Sequence, residues 1–250
     1  MNPAAYLEMA ETESIHWWYS GRRSILWSII VNSNLPLKSE VLEVGCGTGG
    51  NLEMLANFGT VSAFEMDENA LEIACKKTDN HYEIKKGYLP NQIPFTNRQF
   101  DLIVMTDVLE HIEQDVEALV SIKKLLKKNG CVILTVPAYQ WLYGTHDKFL
   151  HHYRRYSARR LIKIIESSGF VSEKLSYFNT ILFPLAVMVR IMDKFGRSQT
   201  ATGTSVPPKF INIILKALFS AERYLLGKFD FPFGVSLLCV LRKTDNYKKN

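Results

Sequence analysis

Val41-Leu42-Glu43-Val44-Gly45-Cys46-Gly47-Thr48-Gly49-Gly50-Asn51-Leu52 reads as strand, tight turn and helix. A short β-branched, apolar run ends in clustered glycines, and a helical spacing of apolar residues resumes at Leu52, Leu55 and Ala56. Gly45, Gly47 and Gly49 remove Cβ atoms where the backbone must bend sharply and a ligand must come close. The helix that follows turns its unpaired N–H groups and its positive dipole end toward whatever lies over the turn. Gly45, Gly47 and Gly50 also spell G-x-G-x-x-G, a spacing that a dinucleotide site shares. Glu43, two residues before the first glycine, is placed to hydrogen-bond the turn or to hold a cationic group. Glu65 ends the next strand-like run, Val61–Phe64, at about the 20-residue distance of a ribose-hydroxyl acceptor. The pattern points to a nucleoside with a ribose, and a plain structural βα turn is the bland alternative.

Outward from this turn, strands and helices alternate. Strands are expected at Val61–Phe64, Tyr82–Lys85, Phe100–Met105 and Cys131–Val136, with helices at Asn51–Asn57, Glu68–Lys77 and Asp115–Lys128, the last capped at Asn129-Gly130. Continuous apolar strands alternating with helices imply a parallel sheet covered on both faces, with ligands at the carboxyl ends of the strands. Glu65, Tyr88, Thr106 and Pro137 fall at such ends. Upstream, Met1 to Leu35 reads as helical. Downstream, Ala158–Ser168 is a helix capped by Gly169, Phe170–Phe178 a strand, Ile181–Lys194 and Pro208–Lys228 apolar helices joined by Gly196–Ser205, and Val235–Arg242 a strand.

These segments resemble class I S-adenosylmethionine-dependent methyltransferases. The resemblance rests on Glu43-x-Gly45-x-Gly47-x-Gly49, Glu65, Gln99-Phe100-Asp101-Leu102-Ile103-Val104 and Asp107-Val108-Leu109-Glu110-His111-Ile112, and it spans Val41 to Pro137. It implies an α/β fold: a Rossmann-like, doubly wound sheet of about seven strands, the last antiparallel, with an N-terminal helical cap and a helical insertion before the last strand. It implies one domain over 1–250, with the cap at 1–36, the nucleoside-binding core at 37–180, the apolar insertion at 181–230 and the last strand and tail at 231–250. The implied cofactor is S-adenosylmethionine, with S-adenosylhomocysteine as product. The implied contacts are Glu43, Gly45, Cys46, Gly47, Gly49, Glu65, Met66 beside the adenine, Tyr88, Leu89, and Thr106 through its backbone. Relatives often place an acidic residue after the later glycine; here Tyr88 follows Gly87, a departure from that pattern.

The likeness places Asp107 to His111 against the methionine part of the cofactor, where His111 is either a general base or a helix-start residue bonded to its loop. His146-Asp147-Lys148-Phe149-Leu150-His151-His152-Tyr153-Arg154-Arg155 follows the fifth strand, where this fold meets its acceptor. His146 and Asp147 read as a base and its orienter, and His152, Arg154 and Arg155 as contacts to a phosphate or carboxylate; a folded loop with solvated arginines is the alternative. No metal is expected, because adjacent His151-His152 is poor ligand spacing and no thiolate helps. His16-Trp17-Trp18-Tyr19-Ser20-Gly21-Arg22-Arg23 is either a helix packed on the sheet or a flap over the pocket. As a flap, Trp17 and Tyr19 cover the cofactor and Arg22 and Arg23 clamp an anion.

Composition sets the remaining bounds. The chain has 250 residues, 47% apolar and 22% charged, with a net charge of +5. That describes an ordinary globular protein, suited to an anionic substrate or a membrane surface without requiring either. Cys46, Cys75, Cys131 and Cys239 stand far apart, against a zinc or disulfide framework and in keeping with a reducing, cytoplasmic setting. The N-terminal stretch carries Glu8, Glu11 and Glu13 and lacks an export pattern, and no apolar run approaches the roughly 20 residues of a spanning helix. The two late helices are apolar apart from Asn212, Lys216, Ser220 and Arg223 on the second. Burial in the core or in a homodimer is one account of them. Peripheral contact with the inner face of a membrane, with Lys194, Arg197, Lys209 and Lys228 at lipid head groups, is the other.

The function expected is methyl transfer to a hydroxyl or other nucleophile of a small, glycan or lipid-linked acceptor, anionic in character. The same glycines would serve an NAD-dependent oxidoreductase, but no Tyr-x-x-x-Lys pair stands after the fifth strand. A non-catalytic nucleoside-binding module is a third reading. Nucleic acid is not the expected partner, since the charge is mild and no Asn-Pro-Pro-Tyr-type motif follows the fourth strand.

Overall fold

Apolar strands alternating with helices must bury both faces of a sheet, and the structure, a computed structural model that describes residues 3–194 and 205–244, has that architecture. Two helices open the chain, α1 (Pro3–Thr12) and α2 (Trp17–Val31). The αβ core is β1 (Ser39–Val44), α3 (Leu52–Ala56), β2 (Gly59–Glu65), α4 (Glu68–Lys77), β3 (Glu83–Lys86), β4 (Phe100–Thr106), α5 (Asp115–Leu125) and β5 (Leu126–Pro137). The second half adds α6 (Thr145–Phe149), α7 (Ala158–Ser167), β6 (Phe170–Phe178), α8 (Phe183–Lys194), α9 (Lys209–Ala221), α10 (Arg223–Leu226) and β7 (Ser236–Lys243). Among the described residues, seven strands form one sheet in the order β3-β2-β1-β4-β5-β7-β6. β7 runs antiparallel to both neighbours, pairing Leu134 with Cys239 on one side and Leu175 with Cys239 on the other. Strand order reverses between β1 and β4, so the crevice that binds ligands in such sheets opens where Val44 and Thr106 end their strands. Helices pack a cluster around Leu42, Ile103 and Leu134 on one face and a cluster around Val41, Val104 and Ile133 on the other.

Local chemistry sets the element ends, and in three places it departs from expectation. The N-terminal cap is two helices, because His16 adopts an extended backbone and its ring accepts from the Trp18 N–H, starting α2 afresh. Helix α5 ends at Leu125, before the expected Asn129-Gly130 cap, and the chain passes straight into β5. Gly130 serves close approach instead: a Cβ there would lie 2.9 Å from the Phe100 carbonyl oxygen and 3.0 Å from that of Asp101.

The third departure concerns the apolar insertion, which does form before the last strand. Core burial was one expectation for it, yet only Phe219, Ser220 and Leu226 are buried along α9 and α10. The polar stripe of α9 begins by facing the protein: the Asn212 side chain accepts from the Trp17 N–H at 2.9 Å and donates to the Ile15 carbonyl. Trp18 stacks on Phe219 with ring centroids 5.0 Å apart, and Phe219 stacks on Phe178 at the end of β6. Phe210, Ile211, Ile213, Ile214 and Leu218 are left on the surface, with Phe210 74% exposed. Behind them, the buried Glu222 carboxylate accepts the backbone N–H groups of Asn179, Thr180 and Ile181 at 2.6–2.9 Å, fixing the segment that leads into α8. Arg197, the Lys194 side chain, 196–204 of the joining loop and the tail from 245 lie outside the described residues.

Candidate active site

The turn after β1 is built by backbone geometry that only glycine adopts cheaply. Gly45, Gly47 and Gly49 have φ of +66°, +55° and +84°, and a Cβ at Gly45 would stand 2.7 Å from the Val108 side chain. Glu65 locks this turn. One carboxylate oxygen accepts from the Gly47 N–H at 2.9 Å, and the other from the N–H groups of Met66 and Asp67 at 2.8 and 3.0 Å. Three of about four acceptor positions on the carboxylate are therefore filled, leaving room for one strong bond rather than two to a sugar. Glu43 is buried beneath the turn. Its Oε1 accepts from the Asn51 side chain at 2.7 Å, while Oε2 has no partner among the described residues. Burial pushes the Glu43 carboxyl up to about 8, against the lowering effect of the Asn51 hydrogen bond.

A cavity of about 490 Å³ opens at this turn and reaches α8. Glu43, Gly45, Cys46, Gly47, Glu65, Met66 and Thr106 line its cofactor end. Trp17, Tyr19 and Arg22 of α2 line its roof, together with Tyr6 and Met9 of α1, which sequence reasoning did not single out. His111, His146, His152 and Arg155 line the far part, and Leu182, Leu185 and Val189 close its end. Gly49 lies behind the turn, where a Cβ would meet Leu52 and Ala74. Tyr88 and Leu89 are not among the lining residues; they follow Gly87, whose N–H is tied to the Glu65 carbonyl.

The loop after β5 differs from expectation. Asp147 does not orient His146. Its buried carboxylate accepts from the Gly144 N–H at 2.9 Å and from Arg155 Nε at 2.8 Å, and it meets His152 Nδ1 at 3.0 Å. These partners hold it well below the ordinary carboxylate range despite burial. Arg154 turns away from the cavity to the Asp115 carboxylate and the Glu113 carbonyl, at the start of α5. Arg22 pairs with Asp107, whose φ of +56° places it in the left-handed region, and Arg155 with Asp147. Arg22, Arg154 and Arg155, expected to meet an anionic acceptor, therefore already face carboxylates, and Arg23 donates instead to the backbone carbonyls of Glu13 and Gly50. His111 and His146 are weak bases: burial pushes them down to about 3 and about 4, far from the operating range of a general base.

Glu110, in the segment after β4, has a role that spacing alone does not reveal. The short 3₁₀ turn Leu109–His111 buries it completely, and neither carboxylate oxygen has a hydrogen-bond partner among the described residues. Burial, and next the Asp107 carboxylate, hold its carboxyl well above the ordinary range. The His111 and His152 rings meet edge to face with centroids 4.6 Å apart. Their adjacency could not be read from spacing, because 40 residues that include β5 lie between them in the chain.

A family model described as a methyltransferase domain matches residues 22–175, from the α2 roof to β6. The chain belongs to the class I S-adenosylmethionine-dependent methyltransferases. This methyltransferase is 29% identical over 130 residues to the mitochondrial ubiquinone biosynthesis O-methyltransferase of Schizosaccharomyces pombe, covering 48% of this chain and 46% of that protein. It is 27% identical over 138 residues to the demethylmenaquinone methyltransferase of Tropheryma whipplei, covering 55% and 57%. The chain thus spans about half the length of the curated relatives it matches. An S-adenosylmethionine-dependent methyltransferase from Clostridium acetobutylicum shares the fold at a TM-score of 0.60 and 14% identity, covering 90% of this chain and 92% of that one. The site of this methyltransferase fits its cofactor on its own features: an orphaned Glu43 oxygen suited to an ammonium, glycines that let a ligand approach, and the Glu65 acceptor. Family membership closes the oxidoreductase alternative.

Proposed function

We propose that this methyltransferase transfers the methyl group of S-adenosylmethionine to a hydroxyl oxygen of a small acceptor bearing an apolar tail, a quinone precursor in its chemistry. One observation carries the reading: the cavity runs unbroken from Glu43 and Glu65 past His152 to Leu185 and Val189 of α8. Leu182, Leu185, Ala186 and Val189 line its far end beside Arg190, and Arg22 and Arg155 already face carboxylates, so a largely apolar tail suits it better than a free anionic group. The names of the curated relatives, a ubiquinone biosynthesis O-methyltransferase and a demethylmenaquinone methyltransferase, support a quinone-type acceptor.

The bound cofactor supplies a methyl group already activated as a sulfonium. The chain's contribution is then mainly placement, the largest effect expected when two reactants must meet in line. Glu65 holds the sugar end and Glu43 the amino-acid end, Trp17 and Tyr19 exclude water from above, and α8 holds the tail. His111 and His146 are too weak as bases to take the acceptor's proton.

The test is transfer of tritium from labelled S-adenosylmethionine to a prenylated catechol. Chloroform-soluble product is expected with the native chain and is lost in Glu65→Ala, which also weakens S-adenosylhomocysteine binding at least tenfold by titration calorimetry. Label found only in water-soluble acceptors would overturn the quinone-type reading. Failure of the native chain to bind S-adenosylhomocysteine would overturn the cofactor assignments.

A further inference from the structure

We propose that Glu110, His111 and His152 form a site for one divalent transition-metal ion, of the zinc or cobalt type, in the wall of the acceptor half of the cavity. The three side chains come from two separate segments, the turn after β4 and the loop after β5, and each lines the cavity, which gives an ion a way in. One potential ligand atom from each lies within 4.8 Å of the others. Ligands about 2.0–2.2 Å from an ion stand roughly 3–4 Å apart, so a small side-chain closure completes the set.

Glu110 is the observation that points to a ligand. It has no exposed surface, and both its oxygens lack a partner. Its own backbone N–H faces the carboxyl without reaching hydrogen-bond geometry. Buried carboxyl groups without hydrogen bonds are costly and rare, and a bound cation supplies the missing partner.

The surroundings hold both imidazoles as ligands are held. His152 Nδ1 meets Asp147, itself fixed by Arg155 and the Gly144 N–H, which leaves Nε2 to bind. The His151 carbonyl faces one ring nitrogen of His111 without reaching hydrogen-bond geometry, which leaves the other. A carboxylate or carbonyl behind each histidine is the usual outer layer of a metal site. Two imidazoles and one carboxylate suit borderline ions over Mg²⁺ or Ca²⁺, which favour oxygen ligands. Three protein ligands leave a coordination position open to the cavity. There the ion would bind the acceptor's hydroxyl oxygen and favour its deprotonated form, the proton leaving to solvent. That role rests on the acceptor reading above; the binding of the ion does not.

The test uses the full chain, stripped with a chelator, dialysed and titrated with Co²⁺ while visible absorption is recorded, and with Zn²⁺ by calorimetry. One equivalent of either ion is expected, with Co²⁺ absorption bands typical of fewer than six ligands. His111→Gln or Glu110→Gln should abolish the bands, and Asp147→Asn should weaken binding by about 10–100-fold through its loss behind His152. S-adenosylhomocysteine titration of each preparation reports folding and tests the cofactor site separately. A chain that binds S-adenosylhomocysteine but gives no stoichiometric Co²⁺ or Zn²⁺ binding overturns the proposal. So does binding that survives both substitutions unchanged, which would place the ion at other histidines.

Discussion

Glu43 shows how much a single residue can hold in reserve. Its carboxyl sits near 8 without a ligand, because burial disfavours its charge and Oε2 is unpartnered. An ammonium brought to that oxygen favours the charged form and drives the proton off. At pH 7 the ligand-free protein carries that proton and the complex does not, so binding should release up to about one proton. Release should shrink as pH rises through 8, where the free protein has already lost it. Calorimetry of S-adenosylhomocysteine binding in buffers of different ionisation enthalpy measures this, and Glu43→Gln should abolish the buffer dependence. The position of Glu43 was legible in the sequence because spacing from a glycine turn is a local property. Its missing partner was not, since that depends on everything packed around it.

At the scale of elements, the loop from Gly144 to Arg155 is organised by one buried carboxylate. Asp147 and Arg155, both nearly inaccessible, neutralise each other, and removing one leaves the other charged and buried. Asp147→Ala should destabilise the fold by about 3–5 kcal/mol in urea denaturation. The double variant Asp147→Ala/Arg155→Met should lose less than the sum of the single variants, because it leaves no stranded guanidinium. Sequence reading found this loop and its residue types but paired them wrongly. It joined His146 to its neighbour Asp147, whereas on the short helix α6 adjacent side chains point apart and the chain brings His152 back instead. Strands were easier: continuous apolar runs such as Leu102–Met105 and Val132–Leu134 lie buried in the middle of a sheet covered on both faces. Helix ends were harder, and α5 stops early because Leu126 pairs with Phe100 and carries the chain into β5.

Over the whole molecule, the apolar side of α9 faces outward beside the exposed Lys209, Lys216 and Lys228. No helix among the described residues is long and apolar enough to cross a membrane. Apolar side chains flanked by lysines suit a helix lying in a lipid interface. Flotation with vesicles containing phosphatidylglycerol should carry the protein upward, less so at high salt. Phe210→Ser/Ile213→Ser should leave it at the bottom with its melting temperature unchanged; a wild-type chain that never floats but sediments as a dimer would assign the face to a second copy instead. Such orientation was beyond sequence reading, because the pattern of α9 says how apolar the helix is and not which side meets α2. At the opposite end of the cavity, Glu13 bonds Thr48 and pairs with Lys77, and Arg23 grips the Glu13 carbonyl, so the first helix is latched across the glycine turn. If a spent nucleoside leaves beneath Tyr6 and Met9, that latch has to spring first, and the tempo of repeated turnover is then set by four side chains far from the α8 end of the cavity.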